Sequence, residues 1–127
     1  LWAKKFGVSR LKSLKMILDF IKNNQVKNPF EIEVTTEKEA YFLNNYYQEI
    51  NISAPLIIML DNFKPVDAVR TIKVIREHKN SPKVIFELSG GINENNVKLY
   101  DELGADVISL GALTHSPKAL DISLQLE

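Results

Sequence analysis

The feature that most constrains this chain is a series of short apolar runs, each closed by a polar or small residue and followed by helical periodicity. Leu56 to Leu60 ends at Asp61, Val84 to Leu88 (apolar apart from Glu87) ends at Ser89-Gly90-Gly91, and Val107 to Leu110 ends at Gly111. Leu56 to Leu60 is wholly apolar, the mark of a strand buried on both faces, and Val84 to Leu88 and Val107 to Leu110 read as further strands. Phe30 to Thr35 alternates apolar and acidic residues and also reads as a strand. Strand starts recur at intervals of about 25 residues, the length of a βα unit in a (β/α) barrel. Parallel strands joined by right-handed crossovers follow from that order.

The intervening segments carry helix signals. Ser9 can cap a helix bearing Leu11, Leu14, Ile17, Leu18 and Ile21 and stopping at Asn23-Asn24. Thr36 and Glu39 form a capping box before a helix with Leu43 and Tyr46. Pro65 suits a first helical turn, with Val66, Val69, Ile72 and Ile75 as the expected inner face. Asn93 is expected to cap a helix carrying Val97, Tyr100 and Leu103, ended by Gly104, and Pro117 to open a last short one. The fold class is therefore α/β, a partial (β/α) TIM-like barrel of about four parallel βα units. Four strands are half of such a barrel, and a small open α/β sheet fits the same pattern.

Composition excludes several function classes. In 127 residues, 16 basic residues balance 16 acidic ones, so no global field recruits nucleic acid or an anionic membrane. The chain has no Cys, which removes disulfides and thiolate metal sites and leans toward a cytoplasmic location. No apolar run approaches the roughly 20 residues that span a bilayer. The chain opens at Leu1 rather than Met, within sequence resembling protein interior, so a piece of a longer protein is expected.

Chemistry concentrates at the strand ends. Glu31 and Glu33 share one face of the first strand because side chains alternate there. A carboxylate at a buried strand end is costly unless paired, hydrogen-bonded or bound to a metal. Glu33 and Asp61, converging at one rim, could accept hydrogen bonds from sugar hydroxyls or hold Mg²⁺ carrying a polyphosphate. The competing reading leaves Glu31 and Glu33 facing solvent on an edge strand. Ser89-Gly90-Gly91 and Gly111-Ala112-Leu113-Thr114-His115-Ser116 follow consecutive strands. Small residues there let backbone N–H groups close on a phosphate, although Ser-Gly-Gly is also common as a plain turn. His115 is a candidate phosphate contact or a packing residue, and His78 reads as solvated surface. Trp2 and the Tyr46-Tyr47 pair read as core or interface aromatics, and Arg70, Lys73, Arg76 and Lys79 as a solvated stripe.

These segments resemble a known family. Glu31-Ile-Glu33-Val, Ile-Met-Leu-Asp61-Asn62-Phe, Glu87-Leu-Ser89-Gly90-Gly91-Ile and Gly111-Ala-Leu-Thr-His115-Ser, with the tail Leu120-Asp121-Ile122, are similar to the carboxy-terminal half of quinolinate phosphoribosyltransferases. A related protein of molybdate-transport operons shares the Asp-Asn and Ser-Gly-Gly elements. The resemblance implies that residues 1–127 are the C-terminal part of the catalytic α/β-barrel domain. It implies transfer of phosphoribose from phosphoribosyl pyrophosphate to the ring nitrogen of quinolinate, with Mg²⁺. Pyrophosphate and CO2 leave, and nicotinate mononucleotide forms for NAD biosynthesis. Glu33 and Asp61 would contact the ribose hydroxyls and the metal-bound pyrophosphate. Ser89, Gly90, Gly91, Gly111 and His115 would surround the 5′-phosphate.

The resemblance also implies a homodimer or larger homo-oligomer, while the composition leads to the expectation of a cytoplasmic protein with no nucleic-acid or membrane partner. The family's Lys-Asp-Asn-His element, part of its cationic grip on quinolinate, is expected just before a segment like Leu1-Trp2-Ala3, and Lys4 and Lys5 do not match it. These residues alone are thus expected to lack turnover. Tyr47 to Pro55 is expected as a local insertion on the far side of the barrel. The alternatives are another phosphate-binding barrel enzyme, such as the molybdate-operon relative, and a non-catalytic phosphate-binding module.

Overall fold

The computed structural model describes residues 9–77 and 84–111. Helix α1 (Arg10–Asn23) is followed by strand β1 (Phe30–Val34), helix α2 (Glu37–Glu49), strand β2 (Leu56–Asp61), helix α3 (Pro65–Glu77), strand β3 (Ile85–Ser89), a 3-10 turn (Val97–Leu99) and strand β4 (Val107–Ile108). The strands form one sheet in the order β1-β2-β3-β4, and every neighbouring pair is parallel. That open sheet is consistent with a partial barrel. A doubly wound open sheet reverses its strand order and carries helices on both faces. This sheet winds in one direction only, as consecutive units of a barrel do.

The two faces of the sheet differ sharply. Ile32, Val34, Leu56, Ile58, Leu60, Phe86 and Leu88 are buried, packed with Leu14, Leu18 and Ile21 of α1, Ala40, Leu43 and Tyr47 of α2, and Ala68, Ile72 and Ile75 of α3. On the other face, among the described residues, Glu31 and Glu33 are exposed, and Ile57, Met59, Ile85 and Glu87 are only half-buried. Strand β2 is therefore not buried on both faces, as its apolar run had implied. The half-covered face is the one that looks inward in a (β/α) barrel.

Caps and turns place each strand end. The Ser9 hydroxyl accepts from the Lys12 backbone N–H at 3.3 Å and opens α1. Thr36 accepts from the Glu39 N–H at 3.2 Å. Glu39 does not complete the expected capping box: its carboxylate accepts instead from the Thr35 N–H at 2.8 Å and from Arg10 Nε at 2.9 Å. This buried carboxylate ties the start of α1 to the end of β1. The Tyr47 hydroxyl donates to the Ala54 carbonyl at 2.7 Å, so the segment leading into β2 is pinned at the strand's amino end. The segment read as an insertion thus lies on the opposite side from the strand ends.

Two helix expectations need correction. The buried residues of α3 are Ala68, Thr71, Ile72 and Ile75, whereas Val66 and Val69 are exposed. Three-residue steps drift by about 60° each, so Val66 and Ile75 lie on opposite sides of the helix. The segment after Asn93 forms the short 3-10 turn rather than an α-helix. Asn93 Oδ1 accepts from the Asn95 N–H at 2.9 Å, and Asn96 Oδ1 from the Asn93 N–H at 2.8 Å. That reciprocal pair is the pattern of a helix cap, as expected for Asn93, yet the chain continues only as turns and a 3-10 segment. Arg70 and Arg76 are also paired rather than merely solvated, Arg70 with Glu37 and Asp67 and Arg76 with Asp106. The expected last helix, His78, Lys79 and Trp2 lie outside the described residues.

Candidate active site

Because the strands are parallel and in register, their carboxyl ends align along one rim. Glu33 of β1 pairs in register with Met59 of β2, and Asp61 stands two residues further along the same face of β2. Asp61 in turn pairs with Ser89, the last residue of β3. The sequence-predicted residues Glu33, Asp61, Ser89, Gly90 and Gly91 are thus brought together across three adjacent strands. Gly111 follows β4 on the same side, and an added Cβ there would meet open space. His115 lies outside the described residues.

The Ser89-Gly90-Gly91 turn is a conformational necessity. Gly90 has φ +88° and Gly91 φ +66°, a region that side-chain-bearing residues enter at a cost. A Cβ on Gly90 would lie 2.6 Å from Asn62 Cγ and 2.7 Å from the Asn62 backbone N. At Gly91 its nearest neighbour would be 3.8 Å away. The Asn62 N–H donates to the Ser89 carbonyl at 2.9 Å and closes β2 against β3 just beyond the sheet. Asn62 itself has φ 57°, and its side-chain amide donates to Asp61 Oδ2 at 2.9 Å.

Beneath this rim lies a polar floor. Glu87, one pleat below Ser89, accepts a short hydrogen bond from the Ser109 hydroxyl. The Ser109 backbone N–H extends the β3–β4 ladder to the Leu88 carbonyl at 2.8 Å. Partial burial, with a hydrogen bond to the Glu87 carboxyl and its charge, raises the Glu31 carboxyl above its ordinary value. Glu31 and Glu33 remain exposed on the edge strand β1, as the solvent-facing reading expected.

The arrangement sets two carboxylates and a glycine turn side by side along one rim. No group of three or more His, Asp or Glu residues able to hold a metal ion by themselves occurs among the described residues. The pair Glu33 and Asp61 still suits Mg²⁺ entering on a polyphosphate, because that ion keeps waters and phosphate oxygens and needs only one or two carboxylates. A hollow of about 350 Å³ lined by Lys22, Val26, Lys27, Asn51 and Ser53 lies at the opposite, amino-terminal ends of the strands. No described helix is long and apolar enough to cross a membrane.

Residues 7–125 match the family described as "Quinolinate phosphoribosyl transferase, C-terminal domain". The chain belongs to this family. A probable nicotinate-nucleotide pyrophosphorylase (carboxylating) of Methanocaldococcus jannaschii is 51% identical over 72 residues, covering 55% of this chain and 25% of the relative. The chloroplastic nicotinate-nucleotide pyrophosphorylase (carboxylating) of Oryza sativa is 36% identical over 121 residues, covering 91% of this chain and 32% of the relative. The structure of the nicotinate-nucleotide pyrophosphorylase from Francisella tularensis superimposes with a TM-score of 0.68 at 30% identity, over 91% of this chain and 37% of that one. The chain spans about a quarter to a third of the length of these curated relatives.

Sequence reasoning missed the contacts of Asn62 and the Ser109 hydroxyl bond to Glu87. Asn62 was visible only as the second residue of Asp61-Asn62, a dipeptide whose left-handed member is a common choice for Asn.

Proposed function

We propose that the protein carrying this chain is a quinolinate phosphoribosyltransferase. It transfers phosphoribose from phosphoribosyl pyrophosphate to the ring nitrogen of quinolinate, releasing pyrophosphate and CO2 and yielding nicotinate mononucleotide. The observation that carries this reading is the alignment of Glu33, Asp61 and the Ser89-Gly90-Gly91 turn on one rim, in a chain of this family.

Glu33 and Asp61 accept hydrogen bonds from the ribose hydroxyls and hold the sugar so that its anomeric carbon faces the attacking nitrogen. Their negative charge favours the oxocarbenium character that develops there as the bond to pyrophosphate breaks. Glu33 and Asp61 would hold Mg²⁺ directly or through water, and the ion when bound would offset the charge building on the departing pyrophosphate. Backbone N–H groups at Ser89, Gly90, Gly91 and Gly111, with His115, receive the 5′-phosphate. No protein nucleophile is required, and catalysis rests on positioning and electrostatics. The grip on quinolinate's two carboxylates requires cationic side chains contributed outside these residues. The half-covered face and edges of the described sheet call for the rest of the barrel, supplied by another segment of the parent protein or by a second such half. A homodimer or larger homo-oligomer and a cytoplasmic location follow the family resemblance and the Cys-free composition.

The test is formation of nicotinate mononucleotide by the longest polypeptide the gene encodes, beside Asp61→Asn. Product that requires quinolinate, phosphoribosyl pyrophosphate and Mg²⁺, and falls by at least about 100-fold in the variant, is expected. Absence of product while phosphoribosyl pyrophosphate still raises the melting temperature would keep the phosphate grip and overturn the quinolinate assignment.

A further inference from the structure

Asn62 stands between the two halves of the rim, and three separate observations converge on it. Its backbone takes the left-handed conformation, φ 57°, which turns the chain out of β2 and aims its N–H at β3. That N–H donates to the Ser89 carbonyl at 2.9 Å, joining the two strand ends. Its side-chain amide donates to Asp61 Oδ2 at 2.9 Å, while the same side chain lies where a Cβ on Gly90 would be, 2.6 Å from Cγ and 2.7 Å from Oδ1. One residue therefore fixes the Asp61 carboxylate and presses on the glycine turn.

We propose that Asn62 is a positioning residue that locks the Asp61 carboxylate and the Ser89-Gly90-Gly91 turn into one geometry, so that a phosphoribosyl group meets both at once. The inference rests on the reading of the rim as the phosphoribosyl pyrophosphate site. A half-exposed aspartate at a strand end has several rotamers open to it, and an amide donor on the next residue selects one. The donation takes one lone pair on Oδ2 and leaves Oδ1 available to accept from a sugar hydroxyl. Asn is suited to both tasks, since it tolerates positive φ better than other side chains and carries an amide donor. Glycine at residue 90 completes the device, because any larger residue would push Asn62 away from both partners.

The proposal separates conformation from hydrogen bonding, and variants can do the same. Asn62→Gly keeps the left-handed turn and removes the amide. Asn62→Asp keeps a residue tolerant of positive φ but replaces the donor by a second carboxylate. Binding is measured by calorimetry on the longest polypeptide the gene encodes, with phosphoribosyl pyrophosphate and Mg²⁺, with ribose 5-phosphate without metal, and with quinolinate. Asn62→Gly is expected to weaken phosphoribosyl pyrophosphate and ribose 5-phosphate by about tenfold, the worth of one hydrogen bond to a charged group. Its quinolinate affinity should stay within about twofold, the scatter of a substitution that touches nothing there. Asn62→Asp should weaken the phosphoribosyl ligands at least as much as Asn62→Gly.

A double-mutant cycle supplies the reading that a merely structural role would not move. In an Asp61→Ala background the Asn62→Gly change should cost clearly less than in the wild-type background, because one of the two groups it positions is already gone. Unchanged affinity in Asn62→Gly, an equal loss in the Asp61→Ala background, or an equal loss for quinolinate would each overturn the proposal. Failure of the wild-type protein to bind either phosphoribosyl ligand would overturn the reading of the rim itself, and this inference with it.

Discussion

Gly90→Ala and Gly91→Ala are neighbouring substitutions of the same kind, yet the structure separates their consequences. Both glycines have positive φ, so a methyl group at either costs about 1 kcal/mol or somewhat more in backbone strain. At Gly91 little else is added, because the nearest atom to the new Cβ would be 3.8 Å away, an ordinary contact. At Gly90 the Cβ would sit 2.7 Å from the Asn62 backbone N, which cannot swing aside as a side chain can. The turn must move, and the Asn62 N–H to Ser89 carbonyl bond of 2.9 Å stretches or breaks. Losing that bond adds about 1 kcal/mol, and the displaced contact about as much again. Gly90→Ala should therefore destabilise by about 2–4 kcal/mol and Gly91→Ala by about 1 kcal/mol. Urea unfolding followed by circular dichroism measures both, with an unchanged m-value showing that only stability has altered. Equal destabilisation, or a larger effect at Gly91, would refute the argument from close approach.

Other expectations follow from single contacts. Glu39→Ala removes the acceptor of the Thr35 N–H and of Arg10 Nε, and should cost about 2–3 kcal/mol in the same unfolding assay. Tyr47→Phe leaves the Ala54 carbonyl without its 2.7 Å donor and should cost about 1–2 kcal/mol. Arg70 holds the Glu37 carboxyl below its ordinary value, so the stability this pair provides is present above the unfolded-state pKa and is lost as the pH falls through the depressed folded one. Glu37→Gln should flatten that acid limb of a stability-versus-pH profile. Glu31 behaves in the opposite sense: its raised carboxyl favours the folded state below the unfolded-state pKa, and that contribution is lost as the pH rises through the folded value. Glu31→Gln should make stability less dependent on pH across that mildly acidic window.

The sequence made the architecture legible where one physical rule dominated. Leu56 to Leu60 was read correctly as a strand from its short, wholly apolar run, and the change from apolar to acidic at Asp61 marked its end. The same logic located Ser89 at the end of β3. It misjudged burial on the barrel-facing side, because continuous apolar residues at Ile57 and Met59 look alike whether the space beyond them is filled or not. The inner stripe of α3 was misplaced because three-residue spacing resembles a helix face over two steps and drifts off it over three. The segment after Asn93 had the apolar spacing and, at Asn93 and Asn96, the capping bonds of a helix, yet it forms only a 3-10 turn. At the candidate site, residue types announced the carboxylates and the glycine turn. The role of Asn62 was hidden because it arises from contact with Gly90, which only the paired strands create.

The most direct test is a crystal structure of the longest polypeptide the gene encodes with phosphoribosyl pyrophosphate and Mg²⁺ bound. The 5′-phosphate should lie within about 3 Å of backbone N–H groups in the Ser89-Gly90-Gly91 turn, with the ribose hydroxyls at the same distance from Glu33 and Asp61. A phosphoribosyl group bound elsewhere, or bound at this rim with its phosphate turned away from the glycines, would contradict the assignment.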